Sequence, residues 1–447
     1  MFAMKRSITL LSLFLLSTST ALCQAPPLDH DREEIADKDI PKSTEISMLY
    51  RFALSPEVDN VLRTDAERAI VEKVIKYYLY RLTWEEVQQD RDPAKVGTIG
   101  SIMNDLIGSA ESSARFMPRP FVGAPNDQDV AAQRQRQLDN IKQMSPIVIK
   151  HCKVVLQNKQ PIARINAARV LAKLAEWGQE AAVDELINII KHPKEIDAVK
   201  HWAFRGLEEI FFMTGSNDIR GKGLFQGDKG SARQKAALFA VYDWLKDRTN
   251  IPAARLQNMT SDEIDGLRYV RRAAELALGA SRRPLIIDDR TAGKQDGPIA
   301  ELLGRIVAAD PSIVPGPNPR ERLDAAVALC QLRNDLSPSY QPDYSAQQIG
   351  RFLTDLGSKA NADKDRGITQ GWAMDAQRLR AAIDVFASQK TTTPVGTYLT
   401  NFKKEVYGML EFFDDFTKNA GAVAGLNAWL QANPSPVDQI YKPLGQK

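Results

Sequence analysis

The sequence predicts an all-α protein in which short antiparallel helix pairs stack into an α-solenoid. The clearest pair spans 161–190, where apolar residues recur at helical spacing in two segments with Gly178 between them. Gly178 stands where the C-terminus of a helix favours a residue that accepts positive φ. A pair this short cannot bury both of its apolar faces alone, so it needs a similar pair on each side.

The pattern of the first helix recurs further along the chain. RINAARVLAKL at 164–174 aligns without gaps with RLDAAVALCQL at 322–332, and Ala203 follows Ala167 by 36 positions. A period of this length with two helices per unit is typical of helical solenoids. Weaker copies of the pattern lie at 200–210, 235–245 and 268–278.

The run from Asn166 to Ala172, followed by Gly178 and the second helix, resembles a HEAT repeat. It is more closely similar to the HEAT-like repeats named after phycobilisome lyases. The resemblance covers about 130–335 and implies a stacked array with an extended concave surface. HEAT repeats carry no catalytic residues as a class, so the resemblance assigns no site.

The first 23 residues have the form of a secretory signal peptide. Lys5 and Arg6 precede a short apolar core, and Ala21 and Cys23 are the small residues that a signal peptidase reads. We therefore expect export to the periplasm or the extracellular space, with no stable membrane insertion after cleavage. The alternative is an uncleaved N-terminal segment that anchors the chain.

The mature chain is expected to begin near Gln24 and to start with a tether. Segment 24–45 is charged, polar and interrupted by prolines, which is typical of a flexible linker. Residues 46–127 are predicted to form an N-terminal helical cap and a loop, with an amphipathic helix at 65–89. The repeat array then occupies 128–336.

Two inserts interrupt the array, and a separate helical region follows it. The inserts, at 214–231 and 281–298, are rich in glycine or proline. Segment 337–447 no longer repeats and is predicted to form separate helices. These helices would cap the open end of the array, which otherwise exposes an apolar surface.

The first insert is the predicted partner-binding segment. It is longer than the two to eight residues that usually join packed helices, so we expect it outside the repeat core. Glycines beside lysines can form a phosphate nest, but the GxxxxGK[ST] pattern is absent and no predicted strand precedes the insert. A mobile surface loop without function is the alternative. The candidate contact residues are Arg220, Lys222, Phe225 and Lys229.

One junction between repeats concentrates potential metal ligands. His192, Glu195, Asp197 and His201 lie close together in the sequence, and such side chains can bind a metal. Their spacing matches no known motif, and Pro193 separates the histidines. A polar turn with one packed histidine is the preferred interpretation, so we predict no metal site.

Composition gives little support for catalysis or for nucleic-acid binding. The chain has 59 basic and 56 acidic residues, a balance that argues against a polyanion partner. It contains four histidines and neither GxSxG nor CxxC, so we predict no catalytic residues and no cofactor. Cys152 and Cys330 lie several repeats apart, and no disulfide is expected between them.

The array itself suggests the function. Stacked helix pairs create an extended concave surface, so the sequence predicts an exported, non-catalytic scaffold that holds a protein or peptide partner there. Two alternatives stay open. One is an enzyme or a lyase-like cofactor chaperone with a site between the 214–231 insert and the groove. The other is a structural component of the cell envelope.

Overall fold

The structure is a computed structural model, and the part of the chain that it describes is almost entirely α-helical. The predicted signal peptide and most of the predicted loop, which falls within 85–126, lie outside the described residues. Among those residues, no helix is both long and apolar enough to cross a membrane. The described ranges are 33–46, 64–84, 127–215, 219–287, 297–365, 371–389, 394–419, 421–435 and 437–441.

Fourteen helices and one two-stranded hairpin follow one another along the described residues. The strands are β1 (Leu285–Ile286) and β2 (Gly297–Pro298), which pair antiparallel. The helices are α1 (Asp65–Arg81), α2 (Asp127–Val155), α3 (Pro161–Glu176), α4 (Ala182–Lys191), α5 (Asp197–Thr214), α6 (Gly227–Arg248), α7 (Ala253–Leu256), α8 (Ser261–Ala280), α9 (Ile299–Val307), α10 (Pro319–Gln331), α11 (Pro342–Asp365), α12 (Trp372–Ala387), α13 (Val395–Asp414) and α14 (Ala422–Ala432).

The predicted helix pair at 161–190 is confirmed as α3 and α4. Pro161 begins α3, where proline loses no helical hydrogen bond and its fixed φ favours the helix. Gly178 follows the helix with a φ of +75°, as its position indicated. Leu171 and Leu174 are buried together between the helices, so the apolar faces read from the sequence form the core.

Helices α3, α5, α8, α10 and α12 form a row in which each contacts the next. The repeats predicted at 164–174, 200–210, 268–278 and 322–332 lie in the first four of these helices. Helices α4 and α6, the hairpin, α9 and α11 contact one another in the same order and form a second row. The copy at 235–245 lies in α6 and therefore belongs to the second row.

Small residues allow helices of the first row to approach closely. A Cβ on Gly206 of α5 would lie 2.9 Å from Cα of Ala172 in α3. A Cβ on Gly279 of α8 would lie 2.5 Å from Cα of Ala328 in α10. Real Cβ atoms do not approach this closely, so only glycine permits the observed spacing.

Helical segments flank the two rows at both ends. Helix α1 packs on α2 and confirms an amphipathic helix within 65–89; it ends at Arg81, and the Leu82 amide donates to the Leu79 carbonyl. The separate helices predicted in 337–447 are confirmed among the described residues as α11 to α14. The C-terminal segment returns to the hairpin, where the Tyr441 hydroxyl donates to the Pro284 carbonyl at 2.6 Å.

Candidate functional site

One side of the first row carries a series of polar and aromatic contacts between neighbouring helices. The guanidinium of Arg169 in α3 lies 5.1 Å from the ring centroid of Trp202 in α5. His201 in α5 stacks on Tyr269 in α8, with the ring centroids 4.7 Å apart. These contacts connect three successive helices through groups that a packed core does not require.

The series continues through an ion-paired carboxylate. Arg272 Nε of α8 lies 2.5 Å from one oxygen of Asp324 in α10, and Arg378 of α12 bonds to the other. Five successive helices therefore contribute to one surface, which we call the ladder face. Its members are Arg169, His201, Trp202, Arg205, Glu208, Tyr269, Arg272, Asp324 and Arg378.

Helical spacing explains why these side chains share a face. In α5, Trp202, Arg205 and Glu208 follow one another at intervals of three residues, which keeps them on one side of the helix. Arg205 Nη1 bonds to Glu208 at 2.6 Å. Arg169 and Arg205 lie 36 residues apart, the interval of the repeat, so successive units place an arginine at the same position.

Burial changes the titration of groups on the ladder face. It raises the pKa of Glu208 to about 7, although the charge of Arg205 acts in the opposite direction. Burial, together with the charges of Arg205 and Arg272, lowers the pKa of His201 to about 4, so this ring is neutral at pH 7. The ladder face thus carries four arginines but only Asp324 and a Glu208 that is partly protonated at pH 7, and the surface favours an acidic partner.

A cavity of about 690 Å³ adjoins the ladder face, because Trp202 and Tyr269 line both. It lies where α5 and α8 begin, beside the C-terminal end of α6 and the short α7. Its wall is mainly apolar, and Arg248 is among the charged side chains that line it. A partly apolar recess of this size with few polar groups is typical of a ligand site.

The structure separates the four residues predicted in the first insert. Lys222 and Lys229 are exposed, whereas Phe225 is 6% exposed and its ring centroid lies 6.1 Å from that of Phe211. Arg220 Nη1 donates to the Glu176 carbonyl at 2.9 Å, at the end of α3. The described part of the insert is thus packed against the rows, contrary to the expectation that it lies outside the core.

The packing of the insert has an identifiable cause. The Phe225 amide donates to the carboxylate of Glu180 at 2.9 Å, which fixes the backbone while the ring enters the core. Helix α6 then begins at Gly227, so the last residues of the predicted insert are helical. Arg220 also acts on the pKa of Glu209 in α5, which brings it near the ladder face. A partner contact at Arg220, Lys222 and Lys229 stays a prediction.

Two of the four residues considered as metal ligands have other partners. Glu195 bonds to Arg164 Nε at 3.1 Å in a buried ion pair, and His201 stacks on Tyr269. Within the described ranges, no group of three or more histidine, cysteine, aspartate or glutamate side chains could hold a metal ion. Cys152 and Cys330 are both free and buried.

Sequence reasoning did not single out the ladder face. Trp202, Tyr269 and Arg378 each look like an ordinary helix residue, and only the matching positions of Arg169 and Arg205 offered a signal. Comparison with known proteins adds no identity: no family model, no curated protein and no solved structure matches the chain.

Proposed function

We propose that this chain is an exported, HEAT-like solenoid that holds an extended protein or peptide partner on the ladder face without catalysing a reaction. The observation that carries the proposal is the series of connected polar and aromatic side chains from five successive helices. A core needs no such series, and a purely solvated surface does not need aromatic rings in it. Arginine, tryptophan and tyrosine are the residues that most often dominate binding energy at interfaces.

The ladder face also limits what the partner is. Asp324 is 1% exposed and bonds to two arginines, so its charge is already neutralised within the protein. Two guanidinium groups share this one carboxylate, so the face keeps positive charge that favours carboxylates on a partner, with which arginine forms paired hydrogen bonds. Trp202 and Tyr269 offer flat apolar surfaces between them. The partner segment would therefore carry acidic side chains interspersed with apolar ones.

The test is to purify the tagged protein from its native host and measure the affinity of the partner that comes with it. Arg378→Ala should weaken binding at least tenfold, and the loss should shrink at high salt. Arg305→Ala is the matched control, because Arg305 lies on α9 in the second row with 40% of its side chain exposed, against 38% for Arg378. Equal affinity of both variants and the unmodified protein would overturn the proposal.

A further inference from the structure

The cavity beside the ladder face is lined by an arginine with an unused hydrogen-bond donor. The Nε atom of Arg248 is buried and has no hydrogen-bond partner among the described residues. The guanidinium lies 5.7 Å from the ring centroid of Trp244, and the Arg248 carbonyl accepts a hydrogen bond from Arg271 at 3.2 Å. A buried donor that forms no bond costs free energy, and native structures leave few of them. The Arg248 side chain is therefore poised to bond to an acceptor that enters the cavity.

A second cation lies next to Arg248. Lys200 is 3% exposed and sits on the same turn of α5 as Asp197 and His201, two residues that line the cavity. Burial and the charge of Arg248 both lower the pKa of Lys200, while the charges of Asp197 and Glu195 act in the opposite direction. A further anion beside Arg248 and Lys200 would reduce the repulsion between these two cations.

The remaining polar groups leave room for that anion. Helices α5 and α8 both begin at the cavity, and the first turn of a helix favours negative charge. The lining carries Arg248 and Arg255 against the carboxylates of Asp197 and Glu263, and Glu263 also accepts a hydrogen bond from the Thr260 amide at 2.8 Å. The charge of Asp197 favours the protonated form of Lys200. With Lys200 included, these groups have one positive charge in excess, which one further negative charge would match.

Apart from Arg255, Asn258 and His201, the rest of the wall is apolar. Ile165, Met259 and Leu267 line the cavity, and Trp202 and Tyr269 stand where it meets the ladder face. An apolar group that enters here loses contact with water, and a carboxylate attached to it reaches Arg248. A peptide whose last residue is apolar ends in this combination, an apolar side chain next to a free carboxylate.

We propose that this cavity binds the C-terminal residue of the partner chain, with the terminal carboxylate on Arg248 and the last, apolar side chain against Ile165, Met259 and Leu267. The inference rests on the proposed function, because it assigns a chain direction to a peptide that already lies on the ladder face. Capture of a terminal carboxylate by a positively charged recess is a recurring mode of peptide recognition.

The test uses acetyl-Gly-Ala-Leu as the free acid and as the C-terminal amide, titrated calorimetrically into the mature protein. The acid should bind at least tenfold more tightly than the amide. Arg248→Met should remove that difference, whereas Lys246→Met, an exposed basic residue in the same last turn of α6, should preserve it. Equal affinity for acid and amide in the unmodified protein would overturn the inference. So would 4-methylpentanoate binding as tightly as the tripeptide, since the site would then take a free acid.

A second variant blocks the cavity without loss of helix stability. Gly266 lies in α8, lines the cavity, and has open space where a Cβ would stand. Gly266→Leu replaces a residue that weakens helices by one that favours them, and its side chain occupies the site. Binding of the acid should fall at least tenfold, while Gly425→Leu, at an open helical position in α14, should leave it unchanged.

The two proposals fail in different ways. If Arg378→Ala weakens the native partner and Gly266→Leu does not, the ladder face binds the partner but the cavity does not hold its end. If neither variant changes the affinity, the ladder face itself is not the binding site. Retained acid binding in Gly266→Leu, with an unchanged melting temperature, refutes the cavity assignment directly.

Discussion

A buried cluster of one arginine and two glutamates offers the sharpest test of how the rows are held together. Arg271 of α8 and Glu321 of α10 are both 0% exposed, and Nε lies 2.5 Å from the carboxylate. Arg271 also donates to the Pro315 carbonyl from two nitrogens at 3.1 Å. The two charges cancel within the core, so removing one leaves the other buried alone. We expect Glu321→Gln to lower the free energy of unfolding by about 3–5 kcal/mol.

Glu275 of α8 should behave in the opposite way. It is 0% exposed, and burial together with the charge of Glu321 raises its pKa well above the usual value. The folded protein therefore holds a proton on Glu275 that the unfolded chain releases above about pH 4.3. The contribution of Glu275 to the free energy of unfolding is fully present below that pH. It is lost by about 1.4 kcal/mol per pH unit as the pH rises toward the pKa of the folded state.

Glu275→Gln removes this loss, because glutamine is neutral at every pH and can donate to the free oxygen of Glu321. The variant should match the unmodified protein near pH 4.5 and become the more stable of the two as the pH rises. Urea unfolding followed by circular dichroism at pH 5 and pH 8 measures both effects, with Glu301→Gln as the exposed control. If Glu275→Gln lowered the free energy of unfolding strongly and Glu321→Gln lowered it only slightly, the charges would be assigned to the wrong residues.

Three further expectations follow from packing and backbone geometry. Leu171→Ala should lower the free energy of unfolding by about 2–5 kcal/mol, because Leu171 is 0% exposed in the best-formed helix pair; a loss below about half a kcal/mol in a urea titration would contradict this. Gly178→Ala should cost at least about 1 kcal/mol in the same assay, since its φ is +75° and a Cβ would lie 2.4 Å from the Arg220 carbonyl oxygen. Cys152 and Cys330 are buried, and burial raises the pKa of both thiols, so neither should react with a thiol reagent until urea unfolds the protein; fast labelling at either position in the native state would refute this.

The first row of helices could be predicted because each of its helices needs the same kinds of residue at the same positions. Each helix must present small residues to its neighbours and leucines to the core, and this leaves a pattern that one sequence displays. Ala167 and Ala168 are 0% exposed in α3, as are the aligned Ala325 and Ala326 in α10. The alignment of 164–174 with 322–332 therefore identified positions with the same surroundings.

The ladder face could not be predicted in the same way. Surface positions on a helix tolerate many residues, so Trp202 or Arg378 in isolation does not differ from an ordinary amphipathic residue. Their meaning comes from contacts between helices that are far apart in sequence, such as Arg378 with Asp324, 54 residues away. The hairpin and the return of Tyr441 to Pro284 depend on similar long-range contacts.

The glycines of the first insert show how the same composition can have the opposite meaning. A run with so many glycines predicts flexibility, because glycine has the freest backbone. In the fold, a Cβ on Gly221 would lie 2.1 Å from the Met213 carbonyl oxygen, and one on Gly230 would lie 2.4 Å from the Phe225 carbonyl carbon. These glycines are required where two backbones touch, and the contact that they permit places Phe225 in the core. Glycine is found both in mobile loops and where two backbone segments touch. The sequence alone does not distinguish these cases, because the difference lies in the backbone segment that packs against the glycine.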